Sequence, residues 1–289
     1  MGERNTVRIT VDLPEVLEWL MPVARAGPWA AAGWGRKWKQ GRSKDWKGEW
    51  SAWERRGHRE RGDERFREER QLELPVSGDG VAVRSKNGRI RVAGWDREEI
   101  QILAEVEAWG HSESEARSLA EEIEIETDGR IVARGPQGDD DLWSVSYRVR
   151  VPHETRLDLE TYNGALSIAD VTGEIRFMAL NGGVSLAGLG GDVRGRTQNG
   201  RLTAELTGDR WEGSGLDVET ANGGVTLRIP EGYGAELETS TVNGRTVVDF
   251  PVQAEVEGRV GRRLRATLGD GGARIRAVTT NGRIRIQRP

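Results

Sequence analysis

The dipeptide Asn-Gly occurs seven times, at Asn87, Asn163, Asn181, Asn199, Asn222, Asn243 and Asn281, and its surroundings keep their type from copy to copy. Asn-Gly alone signals a tight hairpin turn, because both residues tolerate positive φ. The flanks carry more information. Six residues before the Asn stand Val81, Leu157, Ile175, Val193, Leu216, Leu237 and Ile275, aliphatic in every copy. Two before it stand Ser85, Thr161, Ala179, Thr197, Thr220, Thr241 and Thr279, all small. Aliphatic residues return three places after it in every copy but one, where Thr246 stands, and five places after it throughout, as in Leu166 and Ile168 or Val184 and Leu186. Strand parity is therefore fixed on both sides of the turn.

Two architectures satisfy that parity: a meander of hairpins, or a solenoid in which equivalent positions stack. Only stacking gives each column a reason to keep its residue type. The last five Asn-to-Asn intervals are 18, 18, 23, 21 and 38 residues. The longest splits at Gly261, with Leu264 and Ala266 at repeat offsets, as if it held one degenerate coil. The expected fold is all-β, a single-stranded β-helix or solenoid of roughly 18–21-residue coils. A lone coil cannot bury enough apolar surface to offset the ordering of its backbone, so neighbours must stack and the ends need caps. Arg283 to Pro289, with alternating Arg and a final Pro, reads as one protected edge. At the other end, Ser112-Glu113-Ser114-Glu115 is a capping box, with Ala116, Leu119 and Ala120 at helical spacing behind it.

Ahead of the repeats lie two other regions. Residues 1–35 read as a small strand-helix unit: Val7, Ile9 and Val11 alternate, and Asp12-Leu13-Pro14-Glu15 offers an N-cap and a first-turn Pro. Residues 36–71 are Trp-rich and basic, then almost purely charged, and read as a linker or frayed helix. Seven of the 11 Trp precede residue 54. The repeat domain is expected over residues 72–289.

"YRVRVPHETRLDLETYNG" (Tyr147 to Gly164), the Asn-Gly coils and the closing "GDGGARIRAVTTNGRIRI" resemble a bacterial family of β-strand repeat domains of unknown function. Its members are often labelled putative adhesins, and it includes LiaX-like envelope-stress proteins. "VRITVDLPEVLEWL" is similar to a short piece found ahead of the domain in some members. The resemblance implies a single-stranded β-helix, no catalytic role and a link to the cell envelope. It carries over no active-site residue.

The residues give no chemistry to set against that implication. Cysteine is absent, so thiolate metal sites and disulfides are excluded. His58, His111 and His153 lie in no metal-ligand spacing. "GLGGD" (Gly188 to Asp192) lacks the Lys of a phosphate loop, and Asp139-Asp140-Asp141 lacks the spaced oxygens of a cation loop. Asp158/Glu160 and Asp217/Glu219 would suit the acid/base pair of a β-helical glycosidase, but read as a solvated ladder with Arg on neighbouring coils. No catalytic residue, cofactor or metal is expected. The function expected is a non-enzymatic interaction scaffold. Next come a membrane-surface envelope-stress sensor and then a carbohydrate-active enzyme.

The Asn column is the expected structural ladder. The candidate contact residues are Tyr162, Met178 and Leu180, outward beside the corners, and Trp38, Trp46, Trp50 and Trp53 in the basic segment. Trp beside Lys37, Lys39, Lys44 and Lys47 suits an anionic membrane surface. A protein or envelope component is the expected partner, ahead of nucleic acid. The early apolar run Val16 to Trp34 is broken by Glu18, Pro22, Arg25 and Pro28, and no segment reaches the ~20 apolar residues of a membrane helix. The expected location is cytoplasmic, or peripheral on the inner membrane face.

Overall fold

Alternation of aliphatic and polar residues carries almost the whole described chain into strands. In the computed structural model the described residues are 62–289, apart from 77, 79, 137–141, 250–253 and 258–260. The 1–35 unit, Trp38, Trp46, Trp50 and Trp53, and the acidic triplet at 139–141 lie outside them.

The entry region holds β1 (Glu64–Pro75), β2 (Val81–Asn87), β3 (Ile90–Trp95), β4 (Glu99–Gly110), helix α1 (Glu113–Glu121), β5 (Glu124–Glu126), β6 (Ile131–Arg134) and β7 (Trp143–Pro152). Then follow β8 (Leu157–Asn163), β9 (Leu166–Ala169), β10 (Thr172–Asn181), β11 (Val184–Ala187), β12 (Gly190–Asn199) and β13 (Leu202–Glu205). The remainder is β14 (Gly215–Asn222), β15 (Val225–Arg228), β16 (Ala235–Asn243), β17 (Thr246–Val248), β18 (Ala254–Glu257), β19 (Arg263–Leu268), β20 (Arg274–Asn281) and β21 (Ile284–Gln287). They form two large sheets that do not close on one another. One has ten strands, in the order β1-β4-β7-β3-β9-β11-β13-β15-β21-β17. The other has eleven, in the order β18-β19-β16-β20-β14-β12-β10-β8-β2-β6-β5.

Each Asn-Gly joins the end of a strand in the eleven-stranded sheet to a strand of the ten-stranded one. The joined strands never pair with each other, so no Asn-Gly corner is a hairpin. Pairing runs instead between equivalent strands of neighbouring layers, parallel and in register: Ile175 aligns with Leu157 and Val193, and Val193 with Leu216. These aliphatics, with the columns at Ile90, Leu166 and Val184 and at Val92, Ile168 and Leu186, fill the space between the sheets. Size is balanced between layers. Phe177 aligns with Gly195, where a Cβ would lie 2.4 Å from the Phe ring.

The corner glycines serve the stacking more than the turn. Only Gly88 among the seven has a positive φ, of 145°. In the others the neighbouring layer sets the requirement: a Cβ on Gly164, Gly182 or Gly200 would lie 1.9–2.0 Å from the carbonyl oxygen of the corner glycine one layer away. The threonines two residues before the Asn address the same oxygens. Thr197 donates to the Gly182 carbonyl (3.1 Å), Thr220 to Gly200 (3.0 Å) and Thr279 to Gly223 (2.8 Å). Small size admits the close approach, and the hydroxyl satisfies a polar group in a tight corner.

The structure corrects three expectations. The charged run beyond Glu64 is neither linker nor frayed helix; it is β1, antiparallel to β4. Its alternation is carried by Phe66, Leu72 and Leu74, which pack against the core. On the other face Arg67 pairs with Glu105 (3.0 Å) and Glu107. Second, the degenerate coil expected near Gly261 is replaced by the antiparallel strands β18 and β19, with Leu264 opposite Thr239 and Ala266 opposite Leu237. Third, layers do not follow chain order at the C-terminal end. β20 lies between β14 and β16, so Ile275 separates Leu216 from Leu237. β21 is accordingly interior, between β15 and β17, rather than an edge.

At the opposite end β7 and β4 extend the ten-stranded sheet, β6 and β5 the other, and α1 packs beside β4 and β1. Ser112 caps α1 by accepting from the Glu115 N–H (3.2 Å). The last turn of α1 carries no basic residue of its own. Arg70 of β1 supplies one, donating to the carbonyls of Ala120 (2.8 Å) and Ile123.

Candidate interaction face

The seven Asn side chains form one continuous ladder along the corner. Asn163 donates its amide to the Asn87 Oδ1 (3.0 Å), Asn181 to Asn163 (3.0 Å), Asn199 to Asn181 (2.8 Å) and Asn222 to Asn199 (2.9 Å). Asn281 donates to Asn222 (2.8 Å) and Asn243 to Asn281 (2.7 Å), following spatial rather than chain order. The backbone doubles the ladder. The N–H groups of Gly88, Gly164, Gly182, Gly200 and Gly223 donate to the Asn carbonyl of the next layer at 2.9–3.1 Å. A carboxamide carries both donor and acceptor, so a stack of Asn satisfies itself without counter-charge.

Beside this ladder lies the outer face of the eleven-stranded sheet. Tyr162 and Leu180 each precede an Asn, and Asn163 aligns with Asn181, so their side chains stand on adjacent strands. Met178 is two residues before Leu180 on the same face, opposite Glu160 on one side and Arg196 on the other. All three are half-buried. The register thus brings Tyr162, Met178 and Leu180 together as one apolar patch flanked by charge. The ten-stranded sheet shows a contrasting face, with Ser185 beside Ser167 and Ala187 beside Ala169.

The charged residues around the patch are tied to one another. Glu160 is only 3% exposed and pairs with Arg84 at 3.2 Å. The expectation of a solvated carboxylate ladder therefore fails at β8. Burial also pushes the Asp158 carboxyl up from its ordinary range, against the pull of Arg84, Arg176 and Arg156. Burial lowers the Arg196 guanidinium, opposed by Glu219. Further along, Arg276 pairs with Asp217 at 2.6 Å, and Glu238 is held by Arg274 and by Arg265 (3.6 Å). Burial pushes the Glu238 carboxyl up, but the Arg274 hydrogen bond and the charges of Arg274, Arg265 and Arg276 outweigh it, leaving a net lowering. Of the four carboxylates that would suit acid/base work, Glu160 and Asp217 are thus each paired with an arginine.

Sequence reasoning missed Arg84 and Arg196 as members of this face. The signal lay in the position three residues before the Asn, where Arg84, Glu160, Met178, Arg196 and Glu219 alternate in sign around a single apolar residue. No group of three or more metal-capable side chains occurs among the described residues. His153 donates its Nδ1–H to the Asp170 carbonyl (2.7 Å), and its Nε2 sits 3.3 Å from Asp96.

No family model and no curated protein matches the chain. Similar solved structures are bacterial. A putative cell adhesion protein from Clostridium sporogenes is 14% identical, with a TM-score of 0.43, over 77% of this chain and 100% of that one. A putative adhesin from Bacteroides fragilis is 11% identical (TM-score 0.32), over 77% of this chain and 97% of that one. A putative lipid binding protein from Parabacteroides distasonis is 9% identical (TM-score 0.27), over 76% and 96% of the two chains. No helix among the described residues is long and apolar enough to cross a membrane.

Proposed function

We propose that this chain is a non-enzymatic interaction scaffold, a short β-solenoid of the adhesin-like kind over residues 64–289, that binds an envelope component or protein through the outer face of its eleven-stranded sheet. The observation that carries the reading is the register that sets Tyr162, Met178 and Leu180 side by side. An apolar cluster rimmed by charge is the composition of a contact surface. Its surroundings argue for binding over chemistry, since one carboxylate of each candidate pair, Glu160 and Asp217, is bound to an arginine.

The test is a Met178→Arg, Leu180→Glu double variant of the full chain, measured against bacterial envelope fractions and anionic vesicles. The reading expects loss of envelope binding with an unchanged melting temperature. Undiminished envelope binding refutes it. A second reading, a sensor anchored on the inner membrane face, draws on Trp38, Trp46, Trp50 and Trp53 beside basic residues. It expects vesicle binding that survives the patch variant and disappears when those four Trp become Ala.

A further inference from the structure

We infer that Asn243 is a spontaneous modification site, the position at which this protein first converts asparagine to aspartate and isoaspartate. The chemistry is intramolecular. The backbone nitrogen of the following glycine, giving up its proton, attacks the asparagine Cγ. The Cγ–Nδ2 bond breaks and ammonia leaves, closing a five-membered succinimide. Water then opens the ring at either carbonyl, yielding aspartate or the isopeptide-linked form. Glycine favours the attack because no side chain shields its nitrogen.

All seven Asn-Gly pairs share this liability by sequence. Exposure does not separate them either, since six of the seven Asn are exposed and Asn87 is half-buried. Position in the ladder does. Ring closure must swing Cγ onto the glycine nitrogen, and that breaks whatever holds the two groups. At Asn163, Asn181, Asn199 and Asn222 three bonds oppose it. The amide donates to one neighbour, its oxygen accepts from the other, and the glycine N–H is held by the next layer's Asn carbonyl. Asn281 keeps both amide bonds. Asn87 keeps the acceptor bond and the Gly88 N–H bond.

Asn243 is the last rung. It donates to the Asn281 Oδ1 at 2.7 Å. Among the described residues neither an amide donor to its oxygen nor a layer bond from the Gly244 N–H is present. The cause is topological. β16 pairs with β20 on one side and with antiparallel β19 on the other, and β19 brings no Asn-Gly corner to extend the ladder. Conversion would set a carboxylate oxygen against the Asn281 Oδ1 and break the final rung. The isopeptide product would also lengthen the backbone at the corner between β16 and β17.

The experiment is timed incubation of the full chain at mildly alkaline pH, followed by peptide mass spectrometry of the Asn-to-Asp mass gain and isoaspartate at each site. Two fewer bonds to break make Asn243 about tenfold or more faster than Asn181 or Asn199. The same chain in denaturant should lose that order, all seven sites reacting at similar rates. Early product should vanish in Asn243→Gln while the other sites keep their rates. Uniform conversion across the folded protein, or an interior site reacting first, overturns the inference. A site order that persists in denaturant also overturns it, because local sequence would then set the rates.

Discussion

Replacing Asn199 tests whether the ladder contributes as a stack or as seven separate turns. Asn199 sits mid-array, donating to Asn181 at 2.8 Å and accepting from Asn222 at 2.9 Å, whereas Asn243 makes one such bond. A net contribution of about 0.5–1.5 kcal/mol per hydrogen bond gives about 1–3 kcal/mol for Asn199→Ala and half that for Asn243→Ala. In a domain of this size each kcal/mol moves the melting temperature by about 2–4 °C. The predicted gap between the variants is therefore a few degrees in thermal unfolding followed by circular dichroism. Asn199→Asp sharpens the test, because the introduced carboxyl keeps the acceptor and loses the donor. When ionised it faces the Asn181 oxygen, which raises its folded pKa above the unfolded value of about 3.9. The stability that its protonated form contributes is present below that unfolded value and lost as pH rises through the folded one. Asn199→Asp should thus melt several degrees below the wild type at neutral pH and recover much of the difference in acid. Equal losses for Asn199→Ala and Asn243→Ala, or no acid recovery, would refute the stacked role.

Three further outcomes follow from other corners and pairs. Gly200→Ala should destabilise by more than 3 kcal/mol or abolish folding, since its Cβ would meet the Gly182 carbonyl oxygen at 2.0 Å; Gly78→Ala, with nothing within 4 Å, should change urea stability by less than about 0.5 kcal/mol. Ala179→Thr should stabilise by about 0.5–1 kcal/mol, because Ala179 is the one corner position in the parallel array without a hydroxyl to reach the neighbouring glycine carbonyl; a loss in chemical denaturation would show the site too tight. Glu238→Gln should cost about 0.5–1 kcal/mol at neutral pH. Its lowered folded pKa places the Glu238 contribution above the unfolded pKa, with loss as pH falls through the folded value. The wild-type and Glu238→Gln melting curves should therefore converge in acid.

Much of this architecture is legible because parity is a local property. Every aliphatic six residues before an Asn is buried, and the capping box at Ser112 begins a helix where the spacing places one. Direction is not local. Leu264 and Ala266 have the burial expected of a coil, but alternation reads the same forwards and backwards, and the strand they occupy runs antiparallel. β1 was hidden for a different reason. Its composition is that of a solvated linker, and only Phe66, Leu72 and Leu74, at even spacing, disclose a face. The reason for Asn-Gly was the least legible part. Turn propensity explains one pair, whereas six of seven corners need glycine for approach between layers, a constraint invisible until the layers are stacked. On the candidate face the outward direction of Tyr162, Met178 and Leu180 follows from parity. The burial of Glu160 depends on its neighbours and does not.

The identical corners that make the array stack also leave its order undetermined. Any Thr-x-Asn-Gly layer can dock on any other, since each offers the same amide, carbonyl and hydroxyl at the same heights. Order must come from columns that differ between layers. Five residues before the Asn, chain order would set Asp217 beside Glu238, two carboxylates on neighbouring strands about 5 Å apart. The observed order sets Arg276 between them, bonded to Asp217 at 2.6 Å, with Arg274 of the same strand on Glu238. Inserting β20, the last strand of this sheet in sequence, between two earlier ones thus converts a repulsion into two ion pairs while keeping the corner ladder continuous. The same insertion leaves β16 as the outermost layer, where the antiparallel β19 covers its open edge. The parallel layers stop there, because β19 offers no corner of its own, and the sheet runs on antiparallel through β19 to β18. One rearrangement therefore settles the charge column, ends the parallel array and fixes Asn243, rather than Asn281, as the end of the ladder.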